Sequence, residues 1–295
     1  MKLISFRFLL LILLTTKLCL GQRHYFVFEK SGANGLLKEK YHGFLVNDDS
    51  IKHGKYFYYH DNGRISQEGF FKNGKPDSIW LTYYSLGARK SLFHYKDGAR
   101  SGDFIFWNAD GTLYQTGFYS DDKLSGVLIT YYPCGQIDTK SSYENDMLNG
   151  VTEIYSEGGK VRQISEYTND TLNGVWKTFY DTGELNYSGR KKMGKYNDTL
   201  YTYYKSGRLL RKSFYVDGTI NGELISYYES GRIKEVSNFR RGVLEGGFKS
   251  FFENGSLMEV GNFESDKKIG CWISYFPNGT EYSRGNFLNG FFDGE

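Results

Sequence analysis

The chain has 295 residues, 39% of them hydrophobic, with 36 Gly but only three Pro and three Cys. Tyr and Phe number 26 and 23, a glycine-and-aromatic bias that favours strands and turns over helices. The formal charge of +3 is too small for a protein that works by coating nucleic acid or anionic lipid.

Residues 1–21 read as a signal peptide. Lys2 and Arg7 supply the charged start, Leu9–Leu14 the apolar run, and Cys19 and Gly21 the small recognition positions, so cleavage is expected before Gln22. The apolar run is too short to span a bilayer, and no later segment is long enough. Lipidation of Cys19 is the rival reading, but Lys17-Leu18 ahead of it lacks the small residue that such processing needs. The leader carries Lys2, Arg7 and Lys17 of the 37 basic residues and no acid, which leaves 34 basic against 34 acidic residues. The mature chain is neutral, with no basic stripe visible in the sequence. No nucleic-acid partner is expected, and a membrane partner is disfavoured. Export predicts a secreted, periplasmic or envelope-associated location.

Residues 22–52 resemble a degenerate capping hairpin: His24–Phe28 and Leu36–Leu45 as strands, an insertion around Ser31–Gly35 and a polar turn at Asn47–Ser50. From residue 53 to 295 the chain repeats. Gly63, Gly87, Gly111, Gly135, Gly159, Gly183, Gly207, Gly231, Gly255 and Gly279 stand 24 residues apart without a break. Four residues before each is an aromatic, from Tyr59 and Tyr83 to Phe251 and Tyr275; eight after each is a second, from Phe71 and Tyr95 to Phe287, with Lys191 the sole interruption. Each unit reads as a β-hairpin. A first strand such as Ile79–Tyr84 leads into a three-residue loop closing on a left-handed Gly. A second strand such as Ile65–Phe71 then leads into a longer turn of the Lys72-Asn73-Gly74-Lys75 kind. The fold class predicted is all-β: an elongated antiparallel meander of about ten hairpin repeats, a single-sheet solenoid. Roughly twenty strands at about 4.8 Å give a body on the order of 95 Å long.

Strict alternation along the strands sorts Tyr59, Ile65, Gly69 and Phe71 onto one face, with their equivalents in every repeat. The Gly69 column is small nearly throughout (Gly117, Ser141, Ser165, Gly189, Ser213, Ser237, Gly261, Gly285), which suggests rings lying over backbone. That face must be buried by coiling, dimerisation or a cover; the twist of sheets favours coiling. The same alternation sends Trp80, Phe104, Trp176 and Trp272 to the opposite face. Candidate binding residues are therefore Trp80, Tyr84, Tyr132, Trp176, Tyr180, Tyr204 and Tyr228, with Lys191 as a solvated defect or a surface altered for a partner. Glu281, where other repeats carry an aliphatic residue, suits a terminal strand.

The units Asn173-Gly174-Val175-Trp176-Lys177-Thr178-Phe179-Tyr180-Asp181-Thr182-Gly183-Glu184-Leu185 and Asn221–Lys234 resemble the bacterial variant of the MORN repeat, with its Asn-Gly, aromatic pair, Gly turn and following Tyr. The resemblance covers roughly residues 53–294. It implies hairpin arrays used for protein or membrane contacts and brings no catalytic residues; such proteins are often labelled YwqK-type antitoxins, a role that an export signal argues against.

Enzymatic chemistry is not expected, nor a cofactor or metal. His24, His42, His53, His60 and His94 occupy unrelated repeat positions, without the clustering that metal ligation needs. Cys134 and Cys271 stand nearly six repeats apart, beyond disulfide reach in an extended array, and are expected as buried or free thiols. Asp48-Asp49 and Asp121-Asp122 belong to turns, and Asn169-Asp170-Thr171 and Asn278-Gly279-Thr280 match glycosylation triplets that turn composition readily produces. The function these observations favour is a repeat scaffold binding a protein at the cell exterior or in the envelope. A carbohydrate or cell-wall module is the alternative; membrane contact and an antitoxin-like role come after it.

Overall fold

The computed structural model describes residues 23–33 and 35–294; the leader, Cys19 and the expected cleavage before Gln22 lie outside the described residues. All regular structure among them is β. One 25-stranded sheet forms in which strands adjacent in the chain pair antiparallel. The cap consists of β1 (Phe26–Ser31) and β2 (Leu37–Val46), and the array starts with β3 (Asp49–Tyr59), β4 (Ile65–Lys72) and β5 (Lys75–Tyr83). Two later first strands are split, at Asn197 and at Glu245, and these splits, the two cap strands and a short terminal strand at Phe291–Phe292 lift the strand count above the twenty expected.

The loop after each first strand is as predicted. His60 donates its backbone N–H to the Arg64 carbonyl, and Gly63 closes the turn at φ 80°. The other turn is tighter than predicted. Lys72 pairs directly with Lys75, so only Asn73 (φ 49°) and Gly74 (φ 82°) turn the chain. This is the two-residue geometry that Asn-Gly favours, because both central residues must be left-handed. First strands consequently begin earlier than expected, at Lys75 rather than Ile79.

Two irregularities recur in every complete hairpin. Beyond the Gly loop, Tyr59 faces Ile65 but Tyr58 faces Gln67, leaving Ser66 as an extra residue. A one-residue bulge exchanges the faces of everything beyond it. The face predicted to hold Tyr59 and Ile65 together with Gly69 and Phe71 is therefore divided. Gly69 and Phe71 share a face with Tyr56 and Trp80, whereas Tyr59 and Ile65 lie on the other. The second irregularity is in the first strands, at Gly54, Gly102, Gly126, Gly150, Gly174, Gly222, Gly246 and Gly270, all with positive φ. Ser78 (φ 63°) and Asp198 (φ 106°) occupy the same position. An Asp held at φ 106° is strained in a conformation that glycine adopts freely. Asp198→Gly is expected to stabilise the array by about 0.5–1 kcal/mol, read as a raised urea midpoint with unchanged slope.

Apart from Phe44, which Arg23 and Tyr25 cover, every buried side chain lies on the Trp80 side, here termed the packed face. The sheet buries this face with its own rings. The Trp80 ring lies on the Gly69 backbone where a Cβ would otherwise stand, and its indole N–H donates to the Phe70 carbonyl at 3.1 Å. Trp272 repeats the arrangement over Gly261, donating to the Asn262 carbonyl, and Phe104 lies over Gly117. Where the small residue is serine, Ser165, Ser213 and Ser237 are almost completely buried. The expectation of rings over small residues is met, though by rings from the other aromatic set.

The cap joins this face through charge. Phe28 stacks on Tyr41 at 5.0 Å, and Lys52 Nζ sits 4.6–5.1 Å from the ring centroids of Tyr41, Tyr56 and Phe71 while pairing with Glu39 at 2.5 Å. Burial pushes the Glu39 carboxyl upward, but hydrogen bonds from Lys52 and Lys30 outweigh it and hold the group below its ordinary 4.5. A depressed carboxylate stabilises the fold above its unfolded value and loses that contribution as pH falls through the folded value. The cap is thus expected to loosen below about pH 4.5 before the central repeats do. Glu39→Gln should abolish that acid step in hydrogen exchange of β1 and β2.

Candidate functional site

The face opposite the packed one, the open face, carries the first aromatic set. Tyr59, Tyr83, Trp107, Tyr131, Tyr155, Phe179, Tyr203, Tyr227, Phe251 and Tyr275 run across the whole array, half-buried, and no second layer packs over them among the described residues. The bulge places them there. Polar neighbours hold several rings: Tyr83 donates its phenol to Glu68, and Tyr155 donates to Glu153 at 2.8 Å. Burial, then the Glu68 contact, pushes the Tyr83 phenol up to about 12.

The predicted binding residues separate into three structural roles. Trp80, 6% exposed, belongs to the packed face, and Trp176 occupies the equivalent position half-buried; the open-face position expected for both is corrected by the bulge at Ser66 and its equivalents. Tyr84, Tyr132, Tyr180, Tyr204 and Tyr228 open the Gly loops. Each donates its phenol, at 2.7–2.8 Å, to a backbone carbonyl of the next repeat: Trp107, Tyr155, Tyr203, Tyr227 and Phe251 respectively. His60 reaches the Tyr83 carbonyl from the same slot. These tyrosines clamp one loop to the next.

Lys191 is neither an unpaired defect nor a bare patch. Its ammonium lies 4.9 Å from the Trp176 ring centroid and 4.6 Å from that of Tyr196, its cross-strand partner. Other second strands carry the ring in this pair, and five of them face Leu or Ile, as Tyr143 faces Leu148. Here the ring has moved to Tyr196 and a cation completes the stack, an attraction worth about 0.5–2 kcal/mol. Lys268 does the same over Trp272 at 3.8 Å, and Arg100 over Tyr119 at 4.0 Å. Beside Lys191 lies a surface hollow of 370 Å³, lined by Arg190, Lys192, Asn197, Asp198 and Phe214 among others.

Among the described residues no three His, Cys, Asp or Glu side chains converge as a metal site. His53 contacts Asn73, and His94 the Asp103 carbonyl. Cys134 and Cys271 are free and both exposed, so the alternative of burial does not hold. No helix among the described residues is long and apolar enough to cross a membrane.

A single-layer sheet of tandem hairpins, each bonded only to its neighbours and punctuated by glycine every 24 residues, defines a β-hairpin repeat protein. The MORN repeat variant model matches residues 52–73, 148–169, 172–189, 220–241 and 244–265, so the chain carries MORN-variant repeats at these five positions. Each matched segment contains one Gly loop and strand residues on both sides of it. No curated protein matches the chain. Among solved structures it is similar to the crystal structure of TcdB2-TccC3-Cdc42, at 12% identity over 90% of this chain and 18% of that one, with a TM-score of 0.19. It is also similar to the Photorhabdus luminescens Tc holotoxin pore with the TccC3-D651A mutation, at 12% identity over 88% and 18%, with a TM-score of 0.18. The chain spans less than a fifth of those chains, and at such scores the likeness carries no argument.

Proposed function

We propose that the protein is an exported, non-catalytic scaffold that holds a protein partner against its open face at the cell exterior or in the envelope. The observation that carries this reading is the unbroken row of ten aromatic side chains on that face, half-buried and uncovered among the described residues. Aromatic anchors contribute most of the free energy at protein interfaces, and a row bedded in a sheet loses little conformational freedom on binding. The leader supports export, and the MORN-variant repeats support a scaffold.

The test places a photo-crosslinking amino acid at Tyr131 or Tyr227 on the open face and at Tyr143 on the packed face, in the native host. One discrete product shared by the two open-face positions and missing from Tyr143 is the expected result. Equal labelling of both faces, or none, would defeat the reading. Sequencing the mature N-terminus checks export separately, with Gln22 expected as the first residue.

A further inference from the structure

One row of the open face has a charge pattern that the linear sequence conceals. Lys140 faces Glu153, Glu153 faces Ile164, and Ile164 faces Lys177. Three strands further, past Ser188 and Tyr201, comes Lys212; past Ile225 and Val236 comes Lys249; past Val260 and Ile273 comes Arg284. A cation thus stands on every third strand, five times in succession. At about 4.8 Å per strand the interval is about 14 Å, and the row is on the order of 58 Å long. From Ile164 to Ile273 it contains no acid. Lys140 pairs with Glu153 at 3.8 Å and Arg284 with Glu281 at 2.8 Å, but Lys177, Lys212 and Lys249 form no ion pair among the described residues. Lys212 and Lys249 are exposed. Two residues along the first strands, on the same face, stand Phe179, Tyr203, Tyr227, Phe251 and Tyr275.

We propose that this row is a track for a linear acidic polysaccharide, a polyuronate chain whose carboxylates meet the cations while its pyranose rings lie along the adjacent aromatic row. Three features favour such a ligand. A fixed interval kept over five cations matches a polymer of identical units better than it matches the irregular charge pattern of a globular protein surface. At the usual inter-strand twist of about 20–25°, successive cations turn by about 70°, so a flat bilayer cannot meet them together but a flexible chain can wind with the sheet. Finally, a 1→4-linked pyranose advances by about one strand spacing, and a polyuronate in a three-fold helix turns every third carboxylate to the same side. Neutral net charge is no obstacle, because the attraction is local and falls away within about 10 Å at 0.1 M salt. The proposal does not depend on the protein-partner reading and would stand without it.

The test is affinity electrophoresis and calorimetry of the full mature chain with polygalacturonate at low salt. The wild type should bind, and fully methyl-esterified polymer should not. The variant K177Q/K212Q/K249Q should bind at least tenfold more weakly. K96Q/K123Q/K267Q, which removes the same charge at the turn edge, should stay within twofold, and both variants should keep the wild-type melting profile. Absence of wild-type binding, or equal weakening by the two variants, would overturn the track. So would equally tight, row-dependent binding of polyglutamate or of phosphatidylglycerol vesicles, which would assign the row to an acidic protein or a membrane. Crosslinking from Tyr131, outside the aromatic stretch assigned to the sugar rings, reports on the protein partner separately, so either idea can fail alone.

Discussion

Gly261→Val is expected to destabilise the C-terminal repeats by about 3–5 kcal/mol, the range seen when a buried large aromatic loses its site. The Trp272 ring occupies the space into which any side chain at Gly261 would project. Valine suits a strand, so the cost arises from expelling the ring. The indole loses its burial and its 3.1 Å donation to the Asn262 carbonyl together. Backbone pairing runs only between neighbouring strands, and the ring contacts of Trp272 reach only the adjoining repeats, as in its approach to Phe248, so the damage should stay local and the thermal transition should split, leaving the N-terminal repeats near their original melting temperature. Hydrogen exchange over Leu257–Glu264 and Lys267–Tyr275 would locate it. The cause is checked by a double-mutant cycle. Once Trp272→Ala has removed the ring, adding Gly261→Val should cost less than about 1 kcal/mol, because the two changes eliminate one shared interaction. Additive losses would mean that the ring-on-glycine contact is not what stabilises this part of the sheet.

The second large effect is expected from the loop tyrosines. Changing Tyr84, Tyr132, Tyr180, Tyr204 and Tyr228 together to Phe keeps every ring and removes five phenol-to-carbonyl bonds. Each is worth about 0.5–1.5 kcal/mol. They belong to different repeats, so the losses should nearly add, to about 5 kcal/mol, measured by urea unfolding with far-UV dichroism unchanged before the transition. The experiment also separates two roles for these residues. If they serve chiefly as partner contacts, stability should stay within about 1 kcal/mol of wild type while crosslinking from Tyr227 is lost.

The period and the Gly loop were legible in the sequence, because each depends on a local backbone requirement that glycine announces. The division of faces was not. Ser66 looks like any other strand residue, yet as the unpaired member of a bulge it reverses the orientation of Gln67, Gly69 and Phe71. Alternation alone therefore placed Trp80 and Trp176 with the wrong neighbours. The clamp formed by Tyr84 was hidden for another reason: its acceptor is a backbone carbonyl, and a carbonyl leaves no residue type to notice. Lys191 did show as an irregularity, and its partner Tyr196 was visible only once register paired them. The basic row was the least accessible feature. Its members are separated by 37, 35, 37 and 35 residues, an alternation that means nothing until strands are counted instead of residues.

The strictly serial pairing also governs how the molecule bears tension. A strand bonded only to its chain neighbours is anchored by two ladders, and a pull applied at the ends loads those ladders one after another, as in a zipper. Each hairpin that detaches releases 24 residues, about 80 Å of slack at roughly 3.4 Å per residue, in place of the two strand spacings it had spanned. Pulled from its two ends, the array would lengthen by steps at modest force and limit the load on either attachment. Its repeats then act as a reserve of length as well as a surface.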